Sequence, residues 1–213
     1  MNVIVCKDSA HQVARARQWC NTAYQQSLAQ REAFSMYVPA GGTPSHFYES
    51  CRQEPLALLA DPATRLLQMD EVLDIPPERS FKGYLSTQLL PFSERLAYLD
   101  SAPPQFCSWG LFGLGLNGHV AFHEPGTPVS FRYGCLRLSD STCENLKIPL
   151  GSWGLSYGLG SFMLCRGVLL LVKGSAKREI LRALLSKERR LPASAFHRHP
   201  NATLLVSEDA WPK

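Results

Sequence analysis

The chain has 213 residues, 45% of them hydrophobic and 19% charged, with 22 Lys and Arg against 18 Asp and Glu for a formal net charge of +4. So much apolar residue and so little charge exclude a disordered chain, and this length buries about 70% of its extended surface on folding. No apolar run approaches the ~18 residues of a membrane span, and the densest basic cluster, Arg178 to Arg190, is interrupted by Glu179 and Glu188, a solvated helix face rather than a nucleic-acid stripe.

Strand and helix patterns alternate from the start. Asn2 to Cys6 is a short β-branched run, with Asp8 or Ser9 behind it as a helix cap. Val13, Ala16, Cys20 and Ala23 then recur at helical spacing to about Gln30. Phe34 to Val38 is a second strand, broken by Pro39-Ala40-Gly41-Gly42-Thr43-Pro44, and a helix through Phe47 and Tyr48 follows. Arg65 to Met69 is a third strand ending in Asp70-Glu71. Phe81 to Leu90 is helical, and Trp109 to Leu116 is an apolar strand running into Gly115-Leu116-Asn117-Gly118-His119. Val168 to Val172 is a buried strand that leads through Gly174-Ser175 into a helix with Ile180, Leu181, Leu184 and Leu185 on one face. Thr203 to Val206 is the last strand.

This order predicts an α/β fold: one three-layer, Rossmann-like domain over residues 1–213, with a mostly parallel central sheet covered on both faces. Ligands of such sheets bind outside the carboxyl ends of the strands, so the loops after Val38, Met69, Leu116 and Val172 belong to one rim. Met1 to Lys7 has no basic region before it and no small-residue cleavage site, so secretion is not expected. Seven scattered cysteines (Cys6, Cys20, Cys51, Cys107, Cys135, Cys143 and Cys165) form no Cys-x-x-Cys pair and no even framework. They read as reduced thiols of a cytoplasmic protein.

Each rim loop carries polar chemistry. In Gly41-Gly42-Thr43-Pro44, Thr43 suits the helix cap and Pro44 the first helical position. Glycine backbone and a helix start together suit a phosphate, although a plain tight turn would look the same. Lys173-Gly174-Ser175-Ala176-Lys177 also joins a strand to a helix, and Lys177 in a first turn is unfavourable unless an anion lies nearby. Gly113-x-Gly115-x-x-Gly118 has the spacing of a dinucleotide fingerprint, but Pro125 and Pro128 leave no room for the long helix that motif requires, so it is rejected. What remains there is Asn117, His119 and Glu124, with Asp70 at another strand end: an imidazole with a carboxylate partner, and a second carboxylate placed as a base. His197 and His199 flank Arg198 without a third metal ligand and are read as structural or as a pocket wall.

In this order the motifs resemble the isomerizing glucosamine-6-phosphate deaminase family. The matching pieces are Val38 to Pro44, Met69-Asp70-Glu71, Gly113 to Pro125, Val172 to Lys177 and Pro192 to Ala202. The sister 6-phosphogluconolactonases are similar at the level of the sheet. They usually carry an Arg after the Asp-Glu pair, where this chain has Val72, and lack the Phe-x-Glu-Pro of Phe122 to Pro125. The resemblance implies Asp70 as the base that moves a proton between C2 and C1 of an opened amino sugar. It implies His119, held by Glu124 and Asn117, as the group that assists ring opening. Gly41, Gly42, Thr43 and Lys177 would hold the phosphate. Ketose phosphate and ammonia would be the products, with no metal or organic cofactor. The partner implied is a small sugar phosphate, without nucleic acid or membrane, on a monomer or small homo-oligomer.

The chain also departs from that pattern. Asn117 stands where some members have Asp and cannot lend His119 a negative charge, and His123 stands where Asn is usual. The basic residue expected after Thr142 has no clear counterpart; Lys147 is nearest, with Arg132 and Arg137 further off. The stretch from Gly83 to Gln105 is shorter than the family's, and the parts that carry allosteric control in some members are not expected. Galactosamine 6-phosphate remains an alternative substrate. A non-catalytic sugar-phosphate sensor is a third reading, disfavoured by the retained Asp70, His119 and Glu124.

Overall fold

The computed structural model describes residues 1–100 and 105–212. Strand β1 (Asn2–Cys6) runs into helix α1 (Ser9–Ala29), which Asp8 caps by accepting the His11 N–H at 2.7 Å. Strand β2 (Ser35–Val38), helix α2 (Ser45–Gln53) and the single turn α3 (Ala57–Ala60) follow. Then come β3 (Arg65–Gln68), the short β4 (Asp70–Val72), helix α4 (Phe81–Gln88), β5 (Leu96–Ala97) and β6 (Trp109–Gly113). An excursion through β7 (Tyr133–Arg137), α5 (Asp140–Leu146), β8 (Trp153–Tyr157) and α6 (Leu159–Phe162) precedes β9 (Gly167–Val172), α7 (Arg178–Leu185) and β10 (Ala202–Ser207).

Seven strands form a parallel sheet in the order β1-β10-β9-β6-β2-β3-β5. Side chains alternate between its two faces with the period of two that a strand imposes. Met36, Val38, Leu169 and Leu171 enter the core shared with Ala16, Cys20, Phe47 and Tyr48 of α1 and α2. Tyr37, Val168, Leu170 and Val172 enter the opposite core with Phe162, Leu181, Leu184 and Phe196. Both faces are therefore covered, and the fold is the three-layer α/β arrangement the strand–helix alternation predicts. Gln12 of α1 donates from one Nε2 to the carbonyls of Val172 and Leu205, at 3.0 and 3.1 Å, and so ties the helix to the ends of β9 and β10.

The strand order explains where a ligand can enter. From β2 the chain proceeds outward to β3 and β5, whereas from β6 it proceeds the other way to β9 and β10. The loops after β2 and β6 thus diverge to opposite faces at the point where the order reverses, and a crevice opens between them. Those two loops are 39–44 and 114–119.

A second, antiparallel sheet of order β4-β8-β7 was not foreseen. Its β4 follows β3 after one residue, Met69, and pairs Asp70 with Ser156. Val72, Phe122, Leu138 and Cys143 form its small core. Asp70 therefore begins a strand instead of lying in a turn. A further correction concerns the glycine loop: α2 starts at Ser45 with Pro44 in the cap position, one residue later than predicted, and Thr43 makes no cap bond. Pro44 sits at φ −82° and ψ −2°, and its carbonyl accepts the Tyr48 N–H at 2.9 Å, so the cap is the proline itself. The strand predicted to Leu116 ends at Gly113, because Gly115 to His119 close a turn in which the Gly115 N–H donates to the His119 carbonyl at 2.9 Å. No helix follows Gly118 until α5, which agrees with rejection of the dinucleotide motif.

Candidate active site

The crevice at the strand reversal is a cavity of about 200 Å³. It is lined by Gly41, Gly42 and Thr43 after β2, by Asp70, by Leu114, Gly115 and His119 after β6, and by Lys177 after β9. All four loops named from the sequence thus contribute. Six of the eight candidate residues line the cavity, and the other two, Asn117 and Glu124, stand behind His119.

The glycine loop is arranged for an anion. Three of its carbonyls are engaged by side chains: Tyr48 donates to Pro39 at 2.7 Å, Tyr84 to Gly41 at 2.5 Å, and the Ser45 hydroxyl to Gly42 at 2.8 Å. Among the described residues, the N–H groups of Gly41, Gly42 and Thr43 donate to no protein group. Gly41 has φ +102°, a conformation that a residue with a Cβ rarely adopts. Bonded carbonyls and free N–H groups ahead of a helix suit a phosphate.

Lys177 completes this end of the cavity. It lies at the end of a 3-10 turn, Ser175–Lys177, that leads directly into α7. Its Nζ donates to the Leu114 carbonyl at 2.7 Å, and burial lowers its pKa. Lys177 is therefore a half-buried, bonded lysine rather than one in free solvent. Among the described residues Lys177 is the only Lys or Arg that lines the cavity; Lys147, Arg132 and Arg137 do not. Lys147 instead ends α5 in a left-handed conformation, at φ +54°.

Asp70 lies opposite. It is buried, and its Oδ1 has no hydrogen-bond partner. Burial pushes its pKa up to about 8, helped by the negative charge of the adjacent Glu71. Glu71 itself is fully engaged: it accepts from the N–H groups of Val72, Phe81 and Lys82 and from Gln68 Nε2, at 2.8–3.0 Å. Two carboxylates adjacent in sequence thus differ: Glu71 is bound to the backbone around it, whereas Asp70 lines the cavity and keeps a buried oxygen without a hydrogen bond.

His119 is held from behind. Its Nδ1 lies 3.2 Å from Thr142 Oγ1 and 3.6 Å from Glu124 Oε2. Glu124 accepts from Asn117 Nδ2 at 2.7 Å and from the Ser139 hydroxyl at 3.1 Å. Burial alone would raise the Glu124 pKa, but the bonds from His119, Thr142 and Asn117 hold it down to about 2. Asn117 holds His119 through its backbone and through Glu124 rather than by a hydrogen bond to the ring. Its Oδ1 accepts the His119 backbone N–H at 3.1 Å, and its amide orients Glu124. Gly115 lets the ring approach closely, since a Cβ at that position would lie only 2.4–2.6 Å from three atoms of the His119 imidazole.

Several lining residues went unnoticed in the sequence. Phe81 and Phe122 wall the cavity, and α5 supplies Thr142, Asn145 and Leu146. The signal for α5 was present: Ser139 caps the helix by accepting the Thr142 N–H. The other histidines are structural. His123 accepts the Leu159 N–H at 3.2 Å, and burial lowers its pKa to about 4. His197 and His199 bond the carbonyls of Leu184 and Cys165, both at 2.8 Å.

No family profile matches the chain. In sequence it resembles glucosamine-6-phosphate deaminases over nearly its full length. With the Bacillus cereus (strain B4264) protein of that name it is 26% identical, over 99% of this chain and 88% of the relative. In structure it superposes on a monomeric glucosamine-6-phosphate deaminase of the NagB superfamily with TM-score 0.83 and 20% identity, covering 99% of this chain and 98% of that one. The 6-phosphogluconolactonase of Trypanosoma brucei superposes with TM-score 0.79 and 18% identity, covering 98% and 97%. The fold is shared by both kinds of enzyme.

Proposed function

We propose that the chain is an isomerizing deaminase of an amino-sugar 6-phosphate, with glucosamine 6-phosphate as the favoured substrate and fructose 6-phosphate and ammonia as products. The observation that carries this reading is Asp70. Its carboxyl is buried, its Oδ1 makes no hydrogen bond, and the residue lines the same cavity as the glycine loop and Lys177.

With the phosphate on Gly41, Gly42, Thr43 and Lys177, the sugar extends toward Asp70 and His119. His119 moves a proton between the anomeric hydroxyl and the ring oxygen, which opens the pyranose, while Glu124 balances the charge that gathers on the imidazole. Asp70 then takes the C2 proton of the open aldehyde and returns it to C1, while one proton of the C2 ammonium passes to O1, so that C1 becomes a hydroxymethyl group and C2 an iminium. Water adds to the iminium and ammonia leaves, giving the ketose. A base that must both take and return a proton works best with a pKa near the working pH, which suits the value of about 8 at Asp70. No helix among the described residues is long and apolar enough to cross a membrane.

The lactonase reading is kept as the alternative because the fold is common to both, and galactosamine 6-phosphate because it differs from glucosamine 6-phosphate only in configuration at C4. Purified protein offered glucosamine 6-phosphate, galactosamine 6-phosphate and 6-phosphogluconolactone decides among them. The proposal requires ammonia and ketose phosphate in equal amounts from an amino sugar. Lactone hydrolysis without ammonia from either amino sugar would overturn it.

A further inference from the structure

Helix α4 touches both ends of the cavity. At its start, the N–H groups of Phe81 and Lys82 donate to the two carboxylate oxygens of Glu71, each at 2.8 Å. The Gly83 N–H donates to the Ser80 hydroxyl at 2.9 Å, so the first three helical donors are all paired. Glu71 is covalently next to Asp70, and Gln68 fastens the same corner by donating to the Asp70 carbonyl and to Glu71, at 2.9 and 2.8 Å. One turn into the helix, Tyr84 donates its hydroxyl to the Gly41 carbonyl. Phe81, on the same side of the helix, lines the cavity between the two.

We propose that Glu71 and Tyr84 are positioning residues that act through α4, which sets the distance between the carboxyl of Asp70 and the phosphate loop. The helix is a strut: Glu71 fixes one end to the strand that carries the base, and Tyr84 fixes the next turn to the loop that grips the phosphate. Gly41 sits at φ +102°, and the tyrosine hydroxyl fixes its carbonyl and with it the peptide plane that carries the Gly42 N–H, one of the loop donors left unpaired by the protein. A sugar held by its phosphate then presents C1 and C2 at a fixed height above Asp70. An error of about 1 Å there costs on the order of 100-fold in rate. Neither residue touches the substrate, so their effect is on register alone. This inference rests on the deaminase reading for its catalytic half but not for its phosphate half.

The test compares wild type, Tyr84→Phe, Glu71→Gln and the double variant, by calorimetric titration with inorganic phosphate and by kcat and KM for glucosamine 6-phosphate. Tyr84→Phe removes one hydroxyl and is expected to weaken phosphate binding about threefold or more, with a fall in kcat as well. Glu71→Gln lies away from the phosphate loop, yet it is expected to weaken phosphate binding through the helix. The double variant should lose less than the product of the two single losses, because residues on one strut couple. Ser80→Ala loosens the same helix start and is expected to act in the same direction if Glu71→Gln does not fold. Unchanged phosphate affinity in Tyr84→Phe, or in both Glu71→Gln and Ser80→Ala, would overturn the proposal, as would losses that multiply. If wild type turns over no amino-sugar phosphate, the deaminase reading fails, and the phosphate titrations alone still decide the strut.

Discussion

The Nδ1 of His119 lies 3.2 Å from the hydroxyl of Thr142, a residue of helix α5 that is 23 positions further along the chain. The ring is therefore oriented by an element that no local motif contains. Thr142→Val keeps the shape and removes the hydroxyl. It is expected to lower kcat about 3- to 10-fold, the cost of one hydrogen bond, with a smaller change in KM. Thr142→Ser should restore most of the loss, and an equal loss in both variants would show that packing rather than the hydroxyl matters.

Lys177→Ala tests the phosphate end. Removing a charge-assisted contact is expected to raise KM about 10- to 100-fold while kcat changes less, since ground and transition states share the phosphate. The inhibition constant of inorganic phosphate should rise in parallel. An unchanged KM would return Lys177 to the role its bond to Leu114 already gives it, a staple between α7 and the loop after β6.

Gly115→Ala places a methyl group 2.4–2.6 Å from three atoms of the His119 ring, so the imidazole must move. Turnover should fall by at least ~10-fold while phosphate inhibition stays near wild type, because the glycine loop and Lys177 are untouched. Parallel loss of both would point to a general distortion of the rim.

Stability should depend on pH through two carboxyls of opposite sign. Asp70 has a folded value of about 8 against an ordinary 3.8, so between those values the native state holds a proton that the unfolded chain has lost. Its contribution therefore declines as pH rises from about 4 to 8. Glu124 runs the other way: its folded value is about 2 against 4.5, and its contribution is full above about 4.5 and lost as pH falls toward 2. Asp70→Asn should thus raise Tm at pH 8 and lose that advantage near pH 4. Glu124→Gln should lower Tm at neutral pH and lose little near pH 2. Thermal melts across this range check both signs.

The fold was legible in the sequence wherever strands were long and apolar. Val168 to Val172 needed no context, and Asp8 marked the start of α1. The phosphate loop was legible because its glycines and the following helix lie within ten residues of one another. The small antiparallel sheet was not, because Tyr133-Gly134-Cys135-Leu136-Arg137 alternates weakly and pairs with a partner 20 residues away. For the same reason the placement of Asp70 was only half visible. Its position after an apolar strand could be read, but its burial depends on β8 pairing beside it. The route by which Asn117 holds His119 was not legible either: its side chain bonds Glu124 and the His119 backbone, while the hydroxyl beside the ring comes from Thr142.

The central claim is that Asp70 carries the proton between C2 and C1. General-base removal is expected to cost about 100- to 10,000-fold in turnover, and activity of the wild type should rise with pH toward about 8 as the carboxyl ionises. The direct measurement is deuterium incorporation from heavy water into the sugar phosphate, followed by NMR, with wild type and Asp70→Asn compared at equal phosphate occupancy. The account predicts exchange at the transferred position in wild type and none in Asp70→Asn, which still binds phosphate. Exchange in Asp70→Asn at the wild-type rate would contradict it and place the base elsewhere.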